Sequence, residues 1–140
     1  MNTRLRRPRS VGALVARPRL LDLLDQGLAC PLTVISAPAG YGKSSLAVSW
    51  LDQAGVPSAW FSVTRHDNSL LLFAAYLGAA VAMAYPASAT AMQALLQTPT
   101  TPPPERLADV LLGELSSLPG PLVLALDDYH EIVQPEIHAF

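Results

Sequence analysis

Lysine is nearly absent from this chain. Lys43 stands alone among 140 residues, and every other basic side chain is an arginine. Charge of either sign is scarce, 14% of residues against about 25% in an ordinary soluble domain, and none falls between Asn68 and Pro104. So little charge fits a tightly buried sheet, apolar faces that neighbouring segments would cover, or a membrane. A net charge of −2 gives the whole chain no nucleic-acid signature. A single cysteine, Cys30, excludes an internal disulfide, which agrees with a cytoplasmic location; placed before a predicted strand, it is expected as a small buried side chain. The most apolar stretch, Leu70 to Tyr85, is shorter than the about 20 residues of a spanning helix, so a buried helix and no membrane partner are expected. The early arginines are followed by only a short apolar run before Arg17 interrupts it, which does not read as a secretory signal.

Six arginines crowd the first nineteen residues. Residues 1–16 read as a basic, poorly ordered leader, with an arm that binds phosphates or nucleic acid as the competing reading, and 17–140 as folded. Thr33-Val34-Ile35-Ser36 is predicted as a short buried strand between Pro31 and Pro38. A helix is expected from Gly42 or Lys43 until Gly55 and Pro57 stop it. Ala59 to Val63 is a second predicted strand, and Asn68 or Ser69 is placed to cap the apolar helix that follows. Ala87 to Gln97 suggests a weaker helix, Thr98 to Pro104 a stiff connector, and Glu105 to Ser117 an amphipathic helix. Leu122 to Leu126 is a third predicted strand, ending at Asp127-Asp128. Strands alternating with helices, and free of internal charge, argue an α/β fold with a parallel sheet flanked by helices.

The lone lysine lies in Ala37-Pro38-Ala39-Gly40-Tyr41-Gly42-Lys43-Ser44, a small residue followed at the phosphate-loop spacing by Gly-Lys-Ser. A polyphosphate needs several convergent N–H donors, and Gly40 and Gly42 let the backbone approach closely enough to supply them. The helix behind the loop directs its positive end at the same place. Ala39, Gly40, Tyr41, Gly42, Lys43, Ser44 and Ser45 are the candidate nucleotide-binding residues. Lys43 is expected to bridge the outer phosphates and Ser44 to ligate Mg²⁺. An acid at the end of a buried strand completes such a site: Asp127 is the candidate metal ligand, and Asp128 the group that orients or deprotonates the attacking water. Asp128 and Lys43 are thus the candidate catalytic residues, with ATP or ADP and Mg²⁺ as cofactors. Arg65, His66 and Asp67 sit where open sheets place ligands, or form a solvated turn. Trp60 reads as core, and His130 and His138 match no metal-ligand spacing.

With these residues set out, the chain resembles the amino-terminal ATPase domain of large LuxR-type transcriptional regulators, the maltose-activator-like branch of the STAND nucleotide-binding proteins. The resemblance is carried by Arg17-Pro18-Arg19-Leu20, the glycine loop, Ala59-Trp60-Phe61-Ser62-Val63 with Asp67-Asn68, and Leu124-Ala125-Leu126-Asp127-Asp128-Tyr129-His130. Thr64-Arg65-His66 departs from it, since the family usually has an acidic turn there. The resemblance implies a P-loop NTPase sheet, here with three predicted strands and incomplete. It implies a switch held closed by ADP and released by ATP when an inducer binds, with ATP-dependent self-association, and an Arg17 contact to the base or ribose side of the nucleotide. It also implies that the small-molecule or protein inducer and DNA are bound by regions beyond Phe140, so that residues 17–140 are the amino-terminal part of the domain, unstable and poorly hydrolytic by themselves. A stand-alone ATPase or small-molecule phosphotransferase is the competing reading, and a non-hydrolysing binding module a third.

Overall fold

The fold was obtained as a computed structural model, which describes residues 3–9, 17–38, 40 and 42–140. These residues form a mixed α/β structure with six helices and a parallel pair of strands. The chain divides into two compact units, one spanning Pro8–Val56 and the other Met1–Arg7 with Pro57–Phe140.

In the first unit, helix α1 (Pro18–Gly27) carries a proline in its first turn, where the missing N–H costs nothing. Helix α2 (Lys43–Ala54) begins after Gly42 and ends at Gly55, both left-handed, at φ 76° and 64°. A glycine in this conformation at the end of a helix is the commonest stop signal, because any side chain would be strained there. The helices are tied by the Trp50 indole N–H, which donates to Asp25 Oδ1 at 2.8 Å, and Leu24, Val48 and Leu51 are buried.

The second unit holds strands β1 (Ser58–Ser62) and β2 (Val123–Asp127), paired in parallel with Ser58 opposite Val123 and Ser62 opposite Asp127. Between them the chain passes through α3 (Leu70–Ala84), α4 (Thr90–Leu96) and α5 (Pro104–Ser116). A parallel pair requires such a crossover. Helix α3 is apolar on nearly every side and buries Leu70, Phe73, Ala74, Leu77 and Val81 at helical spacing. Phe61 is its partner from β1, with the Phe73 and Tyr76 rings at 5.7 and 5.3 Å. Met92 of α4 and Leu107 of α5 close the same core. The apolar run thus forms a buried helix, and no helix among the described residues is long and apolar enough to cross a membrane.

Two expectations need correction. Thr33–Ser36 forms no strand: residues 32–38 carry no regular structure, and Leu32 and Val34 are 76% and 75% exposed. The described sheet therefore has two strands rather than the three predicted. A short β-prone run becomes a strand only where a ladder partner takes its N–H and C=O groups, and this segment pairs with no strand among the described residues. The second correction is Cys30, which is exposed beyond the end of α1.

Arg4 has a packing role that its place in a basic leader did not suggest. It lies in a 3₁₀ turn, Thr3–Leu5, with its guanidinium 4.4 Å from the Tyr76 ring centroid and 5.5 Å from that of Phe61. Its Nε donates to the Ser62 carbonyl at 3.2 Å, and its Nη2 to Asp67 Oδ2. Asp67 is fully buried. A buried carboxylate deprived of its cation is strongly destabilising. We therefore expect Arg4→Met, which keeps the apolar stem, to lower unfolding free energy by ~3 kcal/mol in a urea titration, and the Arg4→Met/Asp67→Asn double variant to recover part of the loss. Equal stability of Arg4→Met and the parent would show that the ion pair contributes nothing.

Candidate functional site

The glycine loop is built from local geometry. Gly40 has φ 84° and Gly42 φ 76°, values in the left-handed region that favours glycine. A Cβ on Gly40 would meet nothing within 4 Å, so at this position dihedral strain rather than crowding selects glycine. Gly42 is the residue immediately before α2, and its carbonyl accepts the Leu46 N–H at 2.9 Å. The loop therefore runs directly into the helix, and the first backbone N–H groups of α2, unpaired within a helix, lie at the loop's end. The Lys43 ammonium bends back to the Ala37 carbonyl, closing the loop with its own side chain. Ser44 and Ser45 occupy the first turn of α2, Ser44 half-buried and Ser45 exposed. Ala39 and Tyr41 lie outside the described residues.

Arg17 is brought to the same loop. One guanidinium nitrogen lies 3.7 Å from where a Cβ of Gly42 would stand. Its backbone carbonyl meanwhile accepts the Leu20 and Leu21 N–H groups at the start of α1. Lys43, Ser44, Gly42 and Arg17 are thus neighbours within one unit, an arrangement with two cations and helix-start N–H groups that suits a polyanion.

Asp127 and Asp128 belong to the other unit. Asp127 closes β2; its backbone carbonyl accepts the Val63 N–H at 2.9 Å, and its Oδ1 accepts the Asp128 N–H at 3.0 Å. Asp128 is exposed, with φ 56° and ψ 34°, a left-handed conformation uncommon outside glycine. Strained residues of this kind cluster at functional sites. The pair sits at the carboxyl end of a parallel sheet, the end where open α/β sheets hold ligands. Arg65, His66 and Asp67 form a 3₁₀ turn beyond the end of β1, so the register of the two strands brings their tips together.

Asn68, expected as a helix cap, does something else. Its Nδ2 donates to the Arg65 and Glu131 carbonyls at 2.9 and 2.8 Å, and its Oδ1 accepts the Val133 N–H at 2.7 Å. One amide side chain thereby laces the turn after β1 to the segment after β2. Trp60 is buried, as expected. His138 Nδ1 lies 2.8 Å from the Tyr129 hydroxyl and His130 is 3.6 Å from Glu131; no group of three metal-ligating side chains occurs among the described residues.

The sequence aligns with the HTH-type transcriptional regulator MalT of Yersinia pestis (strain Pestoides F), 38% identical over 137 residues and 97% of this chain. MalT of Yersinia enterocolitica serotype O:8 matches over the same length at 37%. The chain is homologous to the amino-terminal portion of MalT. It spans 15% of the length of these relatives. No protein-family model matches it. Homology to MalT is the relationship that the glycine loop, the Trp60 strand and the Asp-Asp-Tyr-His run pointed to.

The conformation of Asp128 can be separated from its chemistry. Replacing it with alanine, which has no local hydrogen bond to offer, should cost ~1 kcal/mol from the left-handed backbone alone. Asp128→Gly should melt at or above the parent temperature. Thermal unfolding followed by circular dichroism checks both, and a lower melting point for the glycine variant than for the alanine variant would contradict this reading.

Proposed function

We propose that this chain is the ATP-binding, weakly hydrolysing switch portion of a signal-responsive transcriptional regulator, built as part of a P-loop NTPase domain. The observation that carries the proposal is the left-handed Gly40–Gly42 loop opening directly into α2 beside Lys43 and Arg17, in a chain homologous to the amino-terminal portion of MalT.

In this reading the loop N–H groups and Lys43 bind the outer phosphates, where a compact ammonium is a strong point charge. Arg17 contacts the nucleotide from the base or ribose side. Ser44 and Asp127 would hold Mg²⁺, since both bring the oxygen donors this hard cation requires. Bound Mg²⁺ supplies charge neutralisation at the terminal phosphates. Asp128, exposed at the strand end, orients the attacking water and takes its proton. An ADP-bound state and an ATP-bound state then differ by one phosphate and its contacts, enough to bias a two-state equilibrium. Inducer and DNA would be bound by regions outside these 140 residues. The setting would be cytoplasmic, and self-association would accompany ATP binding. The phosphotransferase alternative has no observation of its own in its favour.

Calorimetric titration with Mg-ATP tests the reading. Lys43→Ala should weaken Mg-ATP binding by about tenfold or more, the loss of one charge-assisted phosphate contact. Unchanged affinity in Lys43→Ala would remove the loop from the account.

A further inference from the structure

In the second unit, the link from α3 to α4 and the last turns of α5 enclose a cavity of about 620 Å³. Small-molecule sites occupy roughly 300–1,000 Å³. The walls are mainly apolar, with Ala87, Ala91, Val110 and Leu118 among them, and Glu114 is the one charged residue that lines the cavity. The wall from the α3–α4 side belongs to the stretch between Asn68 and Pro104 that holds no charge, so it offers that carboxylate no counter-ion.

The Glu114 carboxylate is fixed in place. Helix α4 starts after Ala89, which is left-handed at φ 65° and has no side chain to cap with. Glu114 reaches across from α5 instead, and its Oε1 accepts the Met92 N–H at 3.0 Å. Its Oε2 is shut off from water and has no hydrogen-bond partner among the described residues. Three hydroxyls that line the cavity donate elsewhere: Tyr85 to the Pro121 carbonyl at 2.9 Å, Ser88 to the Tyr85 carbonyl at 2.7 Å and Ser117 to the Gly113 carbonyl at 2.8 Å. A buried polar atom without a partner is rare and calls for a donor, and a buried charge calls for a counter-charge as well. An ammonium group supplies both. An anion would meet like charge here, and a purely apolar molecule would leave Oε2 without a donor.

We infer that this cavity is a binding site for a small amphipathic amine, its ammonium donating to Glu114 and its apolar body lying against Val110 and Leu118. The site lies within one unit of the chain and is independent of the nucleotide reading.

Phenethylamine is a suitable probe, with phenethyl alcohol as its uncharged counterpart and phenylacetate as its anionic one. Titrations followed by the methyl resonances of Ala87 and Ala91 report both affinity and place. The amine should bind about tenfold or more tightly than the alcohol, and phenylacetate should shift neither methyl. Glu114→Gln keeps an oxygen for the Met92 N–H but removes the charge, and should reduce the amine's affinity to within about twofold of the alcohol's. Ala91→Phe places a ring in the cavity from an exposed position and leaves the Glu114 cap intact; it should block the amine, read at Ala87, while the unliganded spectrum stays folded. Undiminished amine affinity in either variant, or equal binding of amine and alcohol by the parent chain, would overturn the inference. So would the absence of any methyl shift in the parent chain at about 10 mM amine, a concentration that reveals even weak binding.

Discussion

A fully buried carboxylate organises the carboxyl end of the sheet. Asp67 accepts from the Thr64 backbone and hydroxyl and from Arg4, so the chain leaving β1 must turn at once instead of running on as strand. A buried charge needs counter-charge and hydrogen bonds, and here Thr64 and Arg4, the latter more than sixty residues upstream, supply them to Oδ2, while the buried Oδ1 has no hydrogen-bond partner among the described residues. The adjacent Asn68 then ties that turn to the residues after β2. The tips that carry Arg65, Asp128 and Glu131 are consequently parts of one hydrogen-bonded network, and the polar contacts of Asp67 and Asn68 do the positioning that apolar packing cannot do at a solvated strand end.

The apolar core supplies the rest. Phe61 of β1 meets the Phe73 and Tyr76 rings, and α4 and α5 pack against α3 in the same core. Their packing fixes the parallel register, and the register places Ser62 opposite Asp127. Both outer edges of the pair lack a partner strand among the described residues. Because Val123 N–H donates to Pro57 and the Asp127 carbonyl accepts from Val63, Leu124 and Leu126 turn their backbone groups away from β1.

Much of this was legible in the sequence because local chemistry and tertiary context agree. The Gly42 start and Gly55 stop of α2, the two charge-free strands and the long apolar helix are found within a residue or so of their expected limits. Thr33–Ser36 was misread because an apolar β-branched run states a preference, and only a partner strand converts preference into ladder. Asn68 and Arg4 were missed for a related reason: each works through contacts far along the chain, which spacing and periodicity do not encode. The one available sign was the Asp67-Asn68 pair, two polar residues directly before a long apolar helix. The candidate loop was legible because its glycines answer a backbone requirement, φ near +80°, that is local.

The most direct test is whether the glycine loop, with Lys43 and Ser44, holds a metal–nucleotide complex. Electron paramagnetic resonance of Mn²⁺, substituted for Mg²⁺ and added with ATP, reads this through ³¹P hyperfine coupling. The expected result is a protein-bound Mn²⁺ coupled to phosphorus, with that bound signal lost in Ser44→Ala. A phosphorus-coupled, protein-bound Mn²⁺ that survives Ser44→Ala would contradict it.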